Sequence, residues 1–317
     1  MHLARSISGV GVSGISVTSL SFKTRQDLSV GVDIAAAVTL MGITGVPTFY
    51  INNRSQADGV WTVECLDRCA FLDVEINTSG WQPDSAGRYN ISSFIGGLRS
   101  LGFTSVSLPY TSAYIARTAI DGKTYQTVLQ EMSEVYCGFF CCTYLDELQF
   151  VSYNSAVTAD TAEAWSRIHE NGTFRYTAVS VQNGARASKA GSGTPALDIN
   201  NELADPSSMS TYADLILTTF TGWSVDNYIS SLTVFPAVGG TITFGNTTLR
   251  ATRAEGRIVG NKLLISAGGD IPQYGEINRK GLLQRRLDDM VSTTKVYNNL
   301  KVTPQGVIAV PNPAQNS

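Results

Sequence analysis

The sequence predicts an α+β protein, mainly β, with two β-barrel-like units, a small α/β insertion between them, and a C-terminal helix plus hairpin. Three observations carry this reading. Short runs of β-branched and aromatic residues alternate with polar ones in both the first and the later part of the chain. Apolar residues switch to helical spacing in a few separate stretches. Charged residues are only 15% of the 317, against about 25% in typical globular chains, and 43% are hydrophobic. Four regions are expected: an N-terminal β-barrel-like unit (1–80), a small α/β unit (81–160), a second β-barrel-like unit with an inserted helix (161–272), and a C-terminal helix, hairpin and tail (273–317).

In the first region Ile15 and Val17, Leu20 and Phe22, Val30 to Ile34, Phe49 and Ile51, and Val60 to Cys65 read as strands. The change of parity between Val17 and Leu20 predicts a bulge. The polar stretch Asn52 to Gly59 predicts a hairpin turn. In the second region Ile91, Phe94, Ile95, Leu98 and Leu101 form a helical stripe, with Asn90 as N-cap and Gly102 beyond the end. Val128, Leu129, Met132, Val135 and Tyr136 form another, with Thr124 as N-cap and Gly138 as the left-handed stop. Strands follow at Phe103 to Leu108 and Phe139 to Tyr144. The latter turns at Leu145-Asp146-Glu147 into Leu148 to Tyr153.

In the third region Phe174 to Gln182 reads as a strand and Asn183 to Gly193 as a loop rich in Gly, Ser and Ala. Asp205-Pro206 predicts a helix start, with Met209, Tyr212, Ala213, Ile216 and Phe220 buried and Gly222 ending it. Thr241 to Phe244, Leu249 to Ala254 and Lys262 to Ser266 read as strands, joined through Gly245-Asn246 and Gly260-Asn261 turns. The fourth region begins with a helix from about Arg279, striped by Leu283, Leu287, Met290 and Val291. Arg279, Lys280, Arg285 and Arg286 crowd its first turns, where the helix dipole favours negative charge. These four are the candidate interface residues. A hairpin from Leu300 to Val310 turns around Pro304-Gln305-Gly306.

Composition narrows the function. The net charge is −3, so no global positive field holds a phosphate backbone, and sequence-specific nucleic-acid binding is not expected. No apolar run of about 18 residues predicts a membrane span. Met1-His2-Leu3-Ala4-Arg5 is followed by no compact apolar core, so synthesis in the cytoplasm without a signal peptide is expected. Five cysteines, an odd number, do not suggest a disulfide framework.

The chemical motifs give no active site. Gly9-Val10-Gly11-Val12-Ser13-Gly14 matches a dinucleotide fingerprint in letters, but a strand rather than a helix follows it. In Lys189 to Thr194 the lysine precedes the glycines, unlike a phosphate loop. Cys65, Cys69, Cys137, Cys141 and Cys142 have ligand-like spacing for zinc. However, adjacent strand residues Cys141 and Cys142 point to opposite faces and their neighbours are aromatic. A serine triad would rest on His169, which lacks a nucleophile elbow. Asp146 with Glu147, or Asp288 with Glu276, are conceivable acid and base pairs, the first reading better as a turn. Trp61, Trp81, Trp165 and Trp223 are sugar-platform candidates whose simpler reading is packing. No catalytic residue, metal or cofactor is expected.

The order of the pieces carries a resemblance. A strand from Val60 ends in Asp67-Arg68 and a short apolar turn, Cys69-Ala70-Phe71-Leu72. The Ile91 to Leu101 helix follows, then Gly122 to Met132, Gly138 and the Leu148-Gln149-Phe150-Val151 strand. This resembles the hub proteins of tailed-phage tail tips and baseplates, which look like two tube-type β barrels with a small α/β insertion. Gly275 to Arg285 resembles the closing segment of hub-like proteins of prophages in Gram-positive gut bacteria. The resemblance implies a non-enzymatic virion protein of the phage tail, made in the bacterial host cytoplasm and assembled as a homotrimer. Its implied partners are itself, tail-tube or distal tail proteins, and a tail spike, fibre or tape-measure protein. A tail-associated carbohydrate- or peptidoglycan-active hydrolase and a host-glycan-binding module are the alternatives.

Overall fold

A computed structural model describes residues 2–8, 14–28, 47–153, 166–169, 173–174, 176–195, 197–220, 223–224, 227–231, 241–244, 247–250, 253–259, 262–268, 300–303 and 306–309. Strands of the first half are β1 (His2–Ser8), β2 (Ile15–Thr24), β3 (Tyr50–Ala57), β4 (Val60–Leu66), β5 (Arg88–Asn90), β6 (Ser105–Ser107), β7 (Tyr114–Ala116), β8 (Gly138–Cys142) and β9 (Glu147–Ser152). Next come β10 (Ser166–His169), β11 (Thr173–Phe174), β12 (Ala178–Asn183), β13 (Arg186–Gly191), β14 (Leu197–Asn200), β15 (Trp223–Ser224) and β16 (Asn227–Ser231). The last are β17 (Thr241–Phe244), β18 (Thr247–Arg250), β19 (Arg253–Val259), β20 (Lys262–Gly268), β21 (Leu300–Thr303) and β22 (Gly306–Ala309). Helices α1 (Ile91–Ser100), α2 (Tyr125–Tyr136) and α3 (Met209–Thr219) lie between them.

The architecture is α+β and mainly β, and among the described residues neither of the two expected barrels closes. Instead, one 11-stranded sheet runs β10-β16-β20-β19-β1-β2-β8-β9-β6, with the β3–β4 hairpin branching from β2. Among the described residues its two ends do not meet. The physical reason lies in β2, whose ten residues span about 33 Å. One edge of β2 pairs with β1, and the other edge has room for two neighbours. Parallel β8 takes its start (Ile15↔Phe140, Ser16↔Cys141), and antiparallel β4 takes its remainder (Ser19↔Leu66 to Thr24↔Trp61). The sheet therefore continues sideways into the α/β unit rather than closing on itself.

The β2 bulge expected between Val17 and Leu20 is also absent, since β1 pairs with β2 without a break from His2↔Ser21 to Ser8↔Ile15. Polar Ser16 and Thr18 share the buried phase with Leu20, a pattern that apolar spacing alone misreads. The register shift falls in β3, between Ile51 and Asn53. Polar Asn52 to Ala57 is likewise strand rather than turn. The turn is the pair Asp58-Gly59, both with positive φ (51° and 73°), the geometry that a two-residue hairpin needs.

Both helices of the α/β unit start as their caps predict. The Asn90 side chain accepts from Ser92 N–H and that of Thr124 from Thr127 N–H, contacts worth about 1 kcal/mol each. The left-handed stop of α2 is Cys137 (φ 52°), not Gly138. Gly138 begins β8, where a Cβ would strike the Phe150 ring and the Val151 carbonyl. Close strand packing, rather than backbone freedom, requires glycine there. Val128, Leu129, Met132 and Val135 of α2 are fully buried, and Ser133 Oγ donates to the Gly14 carbonyl at 3.1 Å, tying α2 to the start of β2.

The third region holds a separate sheet, β13-β12-β14, with α3 packed on β12 and β13. The expected loop at Asn183 to Gly193 is mostly β13, antiparallel to β12 through a Gly184-Ala185 turn. The strand read from Phe174 is two strands, β11 and β12. Asp205 caps a turn, accepting from Ser207 N–H at 2.9 Å, and α3 begins only at Met209. Met209, Ala213, Ile216 and Phe220 are buried as expected, whereas Tyr212 is partly exposed. Gly222 lies outside the described residues. The strand read as Leu249 to Ala254 is two strands, β18 and β19, while the β17–β18, β19–β20 and β21–β22 pairings match the turns read from sequence.

Candidate functional site

Two places concentrate polar chemistry: a junction under β2 and a pocket beside α2. The junction begins with Asp67, which is fully buried at the end of β4. Its carboxylate accepts from Thr18 N–H at 2.7 Å and from Cys69 N–H at 3.0 Å, while its own N–H donates to the Thr18 carbonyl at 2.9 Å. Thr18 sits between the stretch of β2 paired with β8 and the stretch paired with β4. Asp67 thus fills the one gap in that edge and caps the short Arg68–Phe71 helical turn.

Arg68 points the other way. Its guanidinium lies 4.3 Å from the Tyr50 ring centroid, donates to the Leu101 carbonyl at 3.0 Å and reaches Asp146 Oδ2 at 3.1 Å. The Tyr50 hydroxyl donates to the same Asp146 oxygen. Burial is the main cause that raises the Tyr50 phenol well above its ordinary pKa, with the Asp146 hydrogen bond next. Asp146 and Leu145 both have positive φ (60° and 71°), so the turn read from sequence is real. Asp146 holds Arg68 rather than serving as the acid or base partner of Glu147, whose carboxylate accepts from Thr143 and Gln149. Exposed Leu145 (59%) and Phe71 (42%) flank this junction.

A second polar set fixes α2. Lys123 Nζ donates to both Glu131 oxygens, at 3.1 and 2.9 Å, and both side chains are nearly buried. Asn201, after β14, donates to Glu134 Oε2 at 2.7 Å and to the Glu131 carbonyl at 2.9 Å. This contact docks the smaller sheet against α2.

The pocket is an open cleft of about 720 Å³, within the range of about 300–1,000 Å³ usual for small-molecule sites. Trp81 and Tyr89 form its aromatic wall, their rings 5.3 Å apart and nearly perpendicular. Glu75, Asn77 and Arg117 supply its polar groups. Asp121 fixes this wall by accepting from the Tyr89 hydroxyl at 3.1 Å with one oxygen and from Arg117 Nε with the other. The floor segment is stitched to the start of α2, Ile76 N–H donating to the Lys123 carbonyl at 3.0 Å and Tyr125 N–H to that of Val74 at 3.1 Å.

The remaining sequence candidates fall in varied places. Arg279, Lys280, Arg285, Arg286, Asp288, Glu276, Trp165 and the stretch from Gly9 to Ser13 lie outside the described residues. His169 is the last residue of β10 and Trp223 the first of β15. The Arg54 guanidinium covers Trp61, 4.9 Å from the ring centroid. Lys189 lies in β13 and donates to the Gly193 carbonyl, so that stretch is the end of a strand and the bend after it, not a phosphate loop. None of the five cysteines forms a disulfide, and only Cys141 is partly exposed. Among the described residues no His, Cys, Asp and Glu cluster suits a metal ion, and no helix is long and apolar enough to cross a membrane. Neither the Arg68–Asp146 pair nor Arg117 and Glu75 of the pocket was foreseen. Only Trp81 carried a signal, as an aromatic platform.

No protein-family model matches the chain, and no curated protein does. Solved structures do resemble it. The 43 kDa tail protein of prophage MuSo2 from Shewanella oneidensis aligns over 87% of this chain and 95% of its own, with 12% identity and a TM-score of 0.47. The tail protein from Neisseria meningitidis MC58 aligns over 84% of this chain and 90% of its own, with 10% identity and a TM-score of 0.53. The second likeness shows a shared fold: this chain is built like a phage tail protein, as the resemblance in its sequence implies.

Proposed function

We propose that the chain is a structural subunit of a phage tail tip or baseplate hub, closing the end of the tail tube and joining it to tip or fibre proteins. The observation that carries this reading is the fold shared with the N. meningitidis tail protein across 84% of the chain. The surface chemistry supports it. Among the described residues β3 is paired only with β4, and exposed Phe71, Val74, Tyr114 and Leu145 offer apolar contacts. Open strand edges and apolar side chains are what a neighbouring subunit covers, and closed symmetry removes the edges that otherwise aggregate.

The subunit acts as a homotrimeric ring in the virion. Tail-tube or distal tail proteins lie on one side, and a spike, fibre or tape-measure protein on the other. Mass photometry and negative-stain imaging of the purified chain test this. A ring of three times 34.0 kDa is expected. A monodisperse monomer that cleaves peptidoglycan would overturn the reading.

A further inference from the structure

We propose that the pocket lined by Trp81, Tyr89, Arg117 and Glu75 binds a neutral saccharide. Its unpaired polar groups lead to this ligand class. Within the described residues Arg117 donates only through Nε, to Asp121, which leaves the rest of its planar fork facing outward. Glu75 is exposed and has no side-chain partner among the described residues. The Asn77 side-chain oxygen is taken by Ser79, through its N–H and its hydroxyl, so the amide nitrogen remains to donate.

One donor fork, one acceptor fork and one amide suit vicinal hydroxyls, each of which both donates and accepts. Arg117 is already balanced by Asp121, so Glu75 leaves the site with a net negative charge, which disfavours a phosphate or a carboxylate and leaves a neutral ligand. Trp81 supplies the apolar wall on which the C–H face of a pyranose rests, with the buried Tyr89 ring packed edge-on behind it. The site is built before binding. Asp121 holds Tyr89 and Arg117 in place, the Trp81 backbone N–H donates to the Thr78 carbonyl at 3.0 Å and its ring packs on Tyr89, so the aromatic wall and Arg117 need little ordering on ligand entry.

The test is titration of the full chain with chitotriose, maltotriose and a galacturonate trisaccharide, followed by saturation-transfer NMR and calorimetry. Saturable binding of at least one neutral trisaccharide is expected, weakened about tenfold or more in Trp81→Ala and in Arg117→Met. Trp81 packs on Tyr89, so Glu75→Gln and Asn77→Ala serve as variants at exposed positions. They too should weaken binding, with an unchanged circular dichroism spectrum. No saturable binding of either neutral sugar, binding of the acidic trisaccharide alone, or binding indifferent to all four substitutions would overturn the proposal. Ring assembly is measured separately, so failure here leaves the tail reading standing.

Discussion

Arg68 and Asp146, 78 positions apart in the sequence, form an ion pair of 3.1 Å with side chains only 20% and 12% exposed. The pair joins the end of the β3–β4 hairpin to the turn between β8 and β9, and Tyr50 completes it from above. Removing one partner leaves the other poorly solvated. Asp146→Ala should therefore lower unfolding stability by about 2 kcal/mol, less than the 3–5 kcal/mol seen for fully buried pairs. Asp146→Asn should be milder, because asparagine tolerates the positive φ and still accepts from Tyr50. Urea denaturation decides it, and equal, negligible losses in both variants would show that the junction contributes nothing to stability.

Asn201 is a neutral donor placed against a buried carboxylate, Glu134. Asn201→Asp sets two carboxylates face to face. It should destabilise the fold by about 3 kcal/mol at neutral pH, with part of the loss recovered in acid as one of the two takes up a proton. A flat difference between the wild type and the variant from about pH 4 to pH 8 would contradict this arrangement.

Burial pushes the Cys65 thiol from 9.0 up to about 12 and the Tyr176 phenol from 10.0 up to about 12. A hydrogen bond with Cys142 is the first cause that raises the Cys69 thiol, and burial is the second. The folded chain keeps these protons where the unfolded chain releases them. Stability should then be level below pH 9 and fall between pH 9 and about 12, by up to about 1.4 kcal/mol per pH unit for each group. Thiol labelling by a disulfide reagent should reach Cys141 first and the other four only on unfolding. Rapid labelling of Cys65 in the native chain would refute the burial argument.

The basic cluster Arg279, Lys280, Arg285 and Arg286 is proposed as a contact with a neighbouring subunit or tail protein. Reversal of Arg285 and Arg286 to glutamate should impair assembly and leave the melting temperature of the isolated chain unchanged, since exposed charges contribute about 0–1 kcal/mol per pair. Normal assembly with a large loss of stability would place these arginines in an internal network instead.

Local features were legible in the sequence because their causes are local. Asn90 and Thr124 cap their helices through neighbours two and three residues on, and Val128, Leu129, Met132 and Val135 of the α2 stripe are buried as their spacing implies, with Tyr136 partly so. What failed depends on partners distant in sequence. β13 has a loop-like composition, Arg-Ala-Ser-Lys-Ala-Gly, and becomes a strand because β12 beside it is buried and needs a partner. Thr18 sits in the buried phase of β2 because Asp67, 49 residues away, takes its N–H. In the pocket, Trp81 stands out in any reading, but Arg117 and Glu75 join it only once Asp121 and the start of α2 have brought their segments together.

The pairing of β1 with β19 sets an order of events during synthesis. Leu3 stands opposite Gly256, so the central sheet stays incomplete until more than four-fifths of the chain has left the ribosome. At about 5–20 residues per second the first strand waits roughly 10–50 s for this neighbour, with the free edge of β1 exposed meanwhile. Such long-range pairing makes for slow folding, and a nascent chain in this state is open to pairing with the wrong strand of another copy. Only when β19 and then β20 arrive is the central sheet complete.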